Sequence, residues 1–162
     1  MSYRFDNRSE QEFIKDIEER TLREHELFLA WLRYIKYTTD HRPKYRNVGC
    51  GKKGEYIKNE KVSTAVDFLV EGYGLVEVKF ATPMLMKYFH LKVRQLKSYQ
   101  SQQATILMVN GAGTKNPTFT MISPLALAEI EKTCKKILWQ GFGNRLAYRI
   151  PINKFVWKTL KR

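Results

Sequence analysis

The chain has 162 residues, 43% hydrophobic and 28% charged, and its 29 lysines and arginines against 16 acids give a formal net charge of +13. This length and composition fit one folded domain over residues 1–162, and no repeat or low-complexity tract suggests otherwise. No signal peptide and no run of eighteen apolar residues is present, which argues against a membrane span and favours a cytoplasmic protein. The basic excess favours a polyanionic partner, because positive surface raises affinity and encounter rate for phosphate backbones.

The first part of the chain has helical periodicity. Residues 9–37 carry apolar side chains at helical spacing, which predicts one helix or two helices meeting near Arg20. Two S/T-x-x-E pairs have the spacing of a capping box, in which the paired side chains satisfy the first backbone N–H groups of a helix. These pairs are Ser9 with Glu12 and Thr21 with Glu24.

A basic segment follows at residues 38–61. It has neither helical nor strand periodicity and is rich in lysine and glycine, which predicts a long loop or an irregular strand pair. Glycines would let its backbone approach phosphates, and its lysines supply charge. The candidate nucleic-acid-binding residues of this segment are Lys52, Lys53 and Lys58. A solvated loop without a ligand is equally consistent.

The remainder alternates strands and helices. Apolar runs predict strands at about 62–70, 75–81, 104–110 and 117–122, with the helix "LKVRQLKSYQSQQ" between the second and third. Ser123 and Pro124 supply an N-cap and a first-turn proline for a helix that ends near Gly141. The alternating segment "LAYRIPI" predicts a strand, with its proline at an edge or a strand end, and a short basic helix closes the chain. This order predicts a central mixed sheet flanked by helices, of the α/β or α+β class, with residues 123–162 as an extension of the core.

The hairpin "TAVDFLVEGYGLVEVKF", residues 64–80, contains three ionisable side chains among apolar ones. If the turn is symmetric about Gly72, Asp67 pairs with Glu77 and Ala65 with Lys79, and these residues share one face of the sheet. Facing carboxylates repel each other unless a cation lies between them, and Mg²⁺ is held by one or two carboxylates together with water. An adjacent ammonium can orient or deprotonate such a water and offset charge that develops on a phosphate. The residues therefore predict a Mg²⁺ site at Asp67 and Glu77, with Lys79 beside it.

These residues carry a family resemblance. "VDF" at 66–68 followed by "EVK" at 77–79 resembles the signature of the PD-(D/E)XK nuclease superfamily, with Val66 where the pattern names proline. The resemblance covers the first helices to about residue 110. It implies a restriction-endonuclease-like core in which Asp67 and Glu77 bind Mg²⁺, with Mn²⁺ as a substitute, and Lys79 assists the hydrolysis of phosphodiester bonds.

The helix after the hairpin adds to the resemblance. "QLKSY", residues 95–99, resembles the Q-hydrophobic-x-x-Y element of RecB-type exonucleases. On that analogy Gln95 approaches the metal site or a phosphate and Tyr99 supports the helix, while an ordinary amphipathic helix is the alternative. Arg94 is a further candidate DNA contact.

The superfamily also places an acidic residue on its first helix. Glu24 is the preferred candidate here, because its helix immediately precedes the loop that leads to Asp67. Glu10 and Glu26 remain open, and so does a capping role for Glu24.

The resemblance implies a Mg²⁺-dependent DNA endonuclease of the junction-resolving, homing or phage-processing type, in prokaryotic, phage or viral DNA metabolism. A single domain without a separate specificity module is expected to act as a homodimer when it cuts both strands. The alternatives are a RecB-type DNA exonuclease and a non-catalytic basic module that binds nucleic acid.

Overall fold

The computed structural model describes residues 9–49, 66–81 and 86–161. Helices α1, α2 and α3 span Glu10–Thr39, Val93–Ser101 and Pro124–Thr133. Strands β1 to β9 span Tyr45–Asn47, Phe68–Val70, Gly74–Ala81, Tyr88–Lys92, Thr105–Asn110, Thr118–Ile122, Lys135–Trp139, Arg145–Pro151 and Lys158–Thr159. Short 3-10 helices lie at Gln140–Phe142 and Ile152–Lys154. None of the helices among the described residues is long and apolar enough to cross a membrane.

The strands form two sheets. Among the described residues the central sheet has six strands in the order β1-β2-β3-β5-β6-β9, and only the β3–β5 pair is parallel. Parallel neighbours need a crossover, which β4 and α2 provide. The second sheet is antiparallel, with β8 between β4 and β7. The predicted class, a mixed sheet flanked by helices, is confirmed.

Both faces of the central sheet are covered. Phe28 and Trp31 of α1 pack with Val78 of β3 in one apolar cluster. Leu96 of α2 packs with Ile106 of β5 in a second cluster, which also includes side chains of α3 and the second sheet. The central sheet therefore lies between α1 on one side and α2, α3 and the small sheet on the other.

The N-terminal prediction is confirmed in part. Ser9 and Glu12 form the expected capping box at the start of α1. The second capping box is wrong, because Thr21 lies inside the helix and donates its hydroxyl to the carbonyl oxygen of Ile17 at 2.9 Å. Residues 10–39 are therefore one continuous helix.

The C-terminal predictions fail at two helices. Ser123 and Pro124 start α3 as expected, but α3 ends at Thr133 and the strand β7 follows. Pairing with β8 explains this difference, because the strand-favouring Ile137 and Trp139 find partners there that local periodicity does not reveal. The closing helix is also wrong, since a 3-10 turn and β9 occupy that stretch. Strand β8 itself is confirmed, and its proline is its last residue.

Two other segments differ from the prediction. Strand β4 takes the first two residues of the predicted helix "LKVRQLKSYQSQQ", so that α2 begins at Val93. Strand β1 lies within the predicted basic loop. The candidate phosphate contacts of that loop, Lys52, Lys53 and Lys58, lie outside the described residues.

Phe28 tests the contact between α1 and the sheet. Its side chain is fully buried, and its ring stacks on Phe68 with centroids 3.8 Å apart. Phe28→Ala should lower the free energy of unfolding by about 3–5 kcal/mol, the usual loss for a buried phenylalanine. Urea denaturation measures this change. Leu125→Ala, at a residue 84% exposed, is the control and should shift stability by less than about 0.5 kcal/mol; similar effects from both variants would contradict this packing.

Candidate functional site

The hairpin of β2 and β3 has the register expected from the sequence. Phe68 pairs with Val76, Leu69 with Leu75, and Val70 with Gly74. The turn places Gly72 at a φ of 78°, a conformation that glycine adopts without strain. Since side chains alternate along a strand, Glu77 and Lys79 share the face opposite the α1 core.

Asp67 lies just before β2, where the ladder to β3 has ended. Its Oδ2 accepts a hydrogen bond from the backbone N–H of Val78 at 2.9 Å. A buried backbone N–H needs a partner, and here the carboxylate takes the place of a ladder carbonyl. This bond holds Asp67 beside β3 between the positions of Glu77 and Lys79.

Glu77 binds two side chains on the face of β3 opposite the α1 core. Its side chain is 8% exposed, and its Oε1 lies 2.6 Å from the Lys79 ammonium and accepts a 2.7 Å hydrogen bond from the Tyr99 hydroxyl. Burial alone would lower the pKa of Lys79, but the Glu77 carboxylate outweighs it and the pKa lies above its ordinary value. Burial raises the pKa of Tyr99. Lys79 is therefore an ammonium and Tyr99 a neutral donor at physiological pH.

Two further carboxyls face this group. Burial is the main reason that the pKa of Glu24 is raised to about 8, and the charge of Asp67 is the second. Burial is likewise the main reason that the pKa of Asp67 is raised to about 7, and the charge of Glu77 is the second. Lys79 opposes both shifts without cancelling them. Glu24, Asp67 and Glu77 with Lys79 are called the carboxyl group below. It holds more carboxyls than its one ammonium can neutralise, so Glu24 and Asp67 tend to keep their protons near neutral pH, and a bound cation would favour their ionised forms.

Positive side chains lie beside the carboxyl group. Burial lowers the pKa of Lys92, and the nearby charges of Arg145, Lys79 and Arg20 lower it further. Arg20 comes from α1, where its guanidinium lies 5.7 Å from the centre of the Phe80 ring. Arg20, Lys92 and Arg145, called the basic rim below, come from three separate elements. An anion next to the carboxyl group would reduce their repulsion.

The predicted site residues separate into two sets. Asp67, Glu77, Lys79 and Glu24 come together, and Glu24 is the helix acid that interacts with them. Glu26 does not belong to this set, because it is exposed and lies 3.9 Å from Arg23. The side chain of Glu10 lies outside the described residues.

The predicted α2 residues are less closely involved. Gln95 is half-buried one turn before Tyr99, on the same side of α2, and Arg94 is exposed. The motif "QLKSY" already singled out Tyr99, but not its bond to Glu77. The basic rim was missed entirely, because no sequence spacing joins residues from three distant elements.

The carboxylates of Asp67 and Glu77 fit the metal that the resemblance implies. Among the described residues, no three His, Cys, Asp or Glu side chains form a group that could hold a metal ion. Two carboxylates with water are nevertheless a sufficient donor set for Mg²⁺, and the paired oxygens of Asp67 and Glu77 match that chemistry. Glu24 is electrostatically coupled to both carboxyls of this pair.

Comparison with protein-family models, curated proteins and solved structures finds no match to this chain. No family membership follows from similarity. The geometry of the carboxyl group and the basic rim is therefore the basis for a function.

The raised pKa values predict how stability depends on pH. In the unfolded chain Glu24 and Asp67 titrate near 4.5 and 3.8, whereas the folded protein holds these protons up to about pH 8 and 7. Between these limits the unfolded state binds fewer protons, so the free energy of unfolding should fall as pH rises. Glu24→Gln should remove part of that fall and be more stable than the original chain near pH 8 by at least about 1 kcal/mol.

Urea titrations in EDTA at several pH values measure this effect. Glu26→Gln, on the exposed side of α1, is the matched control and should leave the pH dependence unchanged. A fall of the same size in Glu24→Gln and in the original chain would contradict the prediction.

Proposed function

We propose that the protein is a Mg²⁺-dependent DNA nuclease that cuts within strands, an endonuclease. The observation that carries this proposal is the excess of desolvated carboxyls at Asp67, Glu77 and Glu24 around a single ammonium, Lys79. Such a group is costly for the fold, and perturbed carboxyls beside a cation are typical of catalytic sites. Resemblance of the same residues to the PD-(D/E)XK signature supports the same chemistry.

Each residue has a role that follows from its contacts. Asp67 and Glu77 would hold Mg²⁺, which when bound supplies an acidified water and polarises a phosphate oxygen. The N–H of Val78 fixes the Asp67 carboxylate, and the Tyr99 hydroxyl fixes Glu77. Lys79 is too basic to remove a proton at neutral pH, so it orients the attacking water and offsets charge that develops on the phosphate.

The substrate class follows from charge. The net charge of +13 favours a polyanion, and the basic rim provides positive charge for phosphates beside the scissile bond. Symmetric cutting of both strands would use two copies of the chain. DNA as the substrate and a homodimer as the active form are both part of this proposal.

A DNA exonuclease of the RecB type is the second candidate. It is favoured by the hydrogen bond that Tyr99, the last residue of the "QLKSY" element, donates to Glu77. Covalently closed circular DNA separates the two activities. An endonuclease cuts the circle in Mg²⁺, whereas an exonuclease digests only linear DNA.

Asp67→Asn separates metal binding from folding. The amide oxygen can still accept the hydrogen bond from Val78, but the negative charge that repels Glu77 is lost. Cleavage in Mg²⁺ should drop by at least roughly a hundredfold, while stability in EDTA at about pH 8 should rise because the repulsion is relieved.

Gel assays of cleavage and urea denaturation give these two readouts. DNA binding in Ca²⁺ should persist, and Glu26→Gln should change neither readout. Cleavage that persists in Asp67→Asn would overturn the metal role, and a variant that loses stability and activity together would indicate a structural residue instead.

Lys79 tests electrostatic assistance. Lys79→Arg keeps the charge that buried Glu77 requires but moves it from the position 2.6 Å from Oε1. The maximal cleavage rate should fall by roughly a hundredfold or more, the scale for a displaced electrostatic group, while affinity for DNA changes little. Single-turnover assays at saturating DNA measure the rate. Lys158→Arg on β9 is the control, and equal rates for the two variants would rule out the role given to Lys79.

A further inference from the structure

The outer face of the second sheet is a distinct surface, formed by side chains that alternate away from the core. Phe89, Leu91 and Ile150 of this sheet point inward and are buried in the second apolar cluster. On the opposite face the cross-strand register aligns a set of aromatic and basic side chains, called the basic face here. It consists of Tyr88, His90 and Lys92 of β4, Arg145 and Arg149 of β8, and Lys135 and Trp139 of β7. The three strands contain no aspartate or glutamate.

Like charges are opposed across this face. Arg149 pairs directly with Lys135 on one side and with His90 on the other. The charge of Arg149 is near enough to lower the pKa of His90, in addition to the larger effect of burial. Directly opposed like charges destabilise a sheet, so the Arg149–Lys135 pair by itself costs the fold stability. A bound polyanion would offset this repulsion, because each cation would attract it.

Aromatic rings hold the cations in place. The Arg149 guanidinium lies 4.1 Å from the centre of the Tyr88 ring, and the Lys92 ammonium lies 4.9 Å from that of Phe142. The His90 ring stacks on Trp139 with centroids 3.7 Å apart and planes 8° apart. A guanidinium stacked on a ring keeps its edge N–H donors for a phosphate and loses less freedom when it binds one.

A glycine supports the aromatic part of this surface. A Cβ at Gly141 would lie 2.5 Å from Nε1 of Trp139, so any other residue there would displace one of them. The close approach of the chain to the ring therefore requires glycine. Gly141, in the turn after β7, thus leaves room for the Trp139 ring in its stacked position on His90.

The basic face continues from the basic rim. Lys92 and Arg145 belong to both surfaces. The charges of Lys79 in the carboxyl group and Arg20 in the basic rim help to lower the pKa of Lys92, which shows that Lys92 lies near them. Adjacent strands lie about 4.7–4.9 Å apart, so β4, β8 and β7 add roughly 10 Å of positively charged surface. That distance matches about three successive phosphates of one strand along the axis of a duplex.

We propose that the basic face binds the phosphate backbone of the DNA and extends the path of the substrate from the carboxyl group across β4 and β8 to β7. The inference deepens the proposed function and takes the identity of its ligand from it. Arg149 and Lys135 contact phosphates at the far end of this path.

Binding measured without cleavage tests the inference. Fluorescence anisotropy with a labelled duplex in EDTA gives the Kd over a range of salt concentrations for the original chain, Arg149→Gln and Lys135→Gln. Each variant should raise the Kd by about threefold or more at low salt and reduce the slope of log K against log salt by about 0.9, the value for one phosphate contact. Arg33→Gln removes the same charge from the exposed side of α1, across the central sheet, and should change neither quantity.

The outcomes separate this inference from the nuclease proposal. If the original chain fails to cut DNA in Mg²⁺ but Arg149→Gln and Lys135→Gln weaken binding, the nuclease proposal fails and the basic face stands. If all three arginine and lysine variants weaken binding equally, or none does, the basic face is overturned. Arg149→Gln also removes the contact with Tyr88 and could lower stability. Lys135→Gln changes an exposed side chain and therefore still decides the test in that case. Weaker binding to phosphatidylserine vesicles with DNA binding unchanged would also overturn the inference, in favour of a membrane surface.

Discussion

The backbone N–H of Val78 lies beyond the first residue of β2, where no strand carbonyl is available to it. The carboxylate of Asp67, the residue before β2, accepts its hydrogen bond instead. This single hydrogen bond places a charged side chain where a neutral carbonyl would serve the fold equally well. It also fixes the spacing between Asp67 and Glu77, because the N–H belongs to the residue directly after Glu77. The rest of the carboxyl group depends on this constraint, since Glu24 and Lys79 respond electrostatically to the pair it creates.

The fold accepts an energetic penalty at these carboxyls. The two large apolar clusters on either side of the central sheet supply the stability against which the buried carboxyls act. Tyr99 and Lys79 reduce the penalty at Glu77 but leave Asp67 and Glu24 with raised pKa values. Residual destabilisation at one position of an otherwise well-packed sheet is the cost expected of the ligand site that we propose.

Local signals in the sequence were sufficient for the hairpin and for the starts of α1 and α3. The turn glycines fixed the pairing of Leu69 with Leu75, and the N-cap chemistry of Ser9 and Ser123 located the first residues of α1 and α3. Helix ends were predicted poorly where a strand from elsewhere competed. Residues 135–139 have apolar positions compatible with either structure, and their pairing with β8 decides the outcome.

The same distinction applies to the candidate site. Asp67, Glu77 and Lys79 lie on one hairpin, so a periodicity of two was enough to predict that Glu77 and Lys79 share a face. Glu24 could be selected only through the family resemblance, because its approach depends on how α1 packs. Arg145 lies far from the hairpin in sequence, and only the assembled second sheet brings it near Lys92.

The order of the strands in the sheets also constrains how the protein folds. Strand β4 precedes β5 in sequence but pairs with β8, and β6 of the central sheet pairs with β9, the last strand described. Neither sheet therefore reaches its full width until residues 145–159 have been synthesised. Pairing over such long sequence separations slows folding, because the entropy of loop closure is lost before the contacts form. A nascent chain can form α1 and the hairpin early, whereas the surface formed by β4, β8 and β7 appears only when translation is nearly complete.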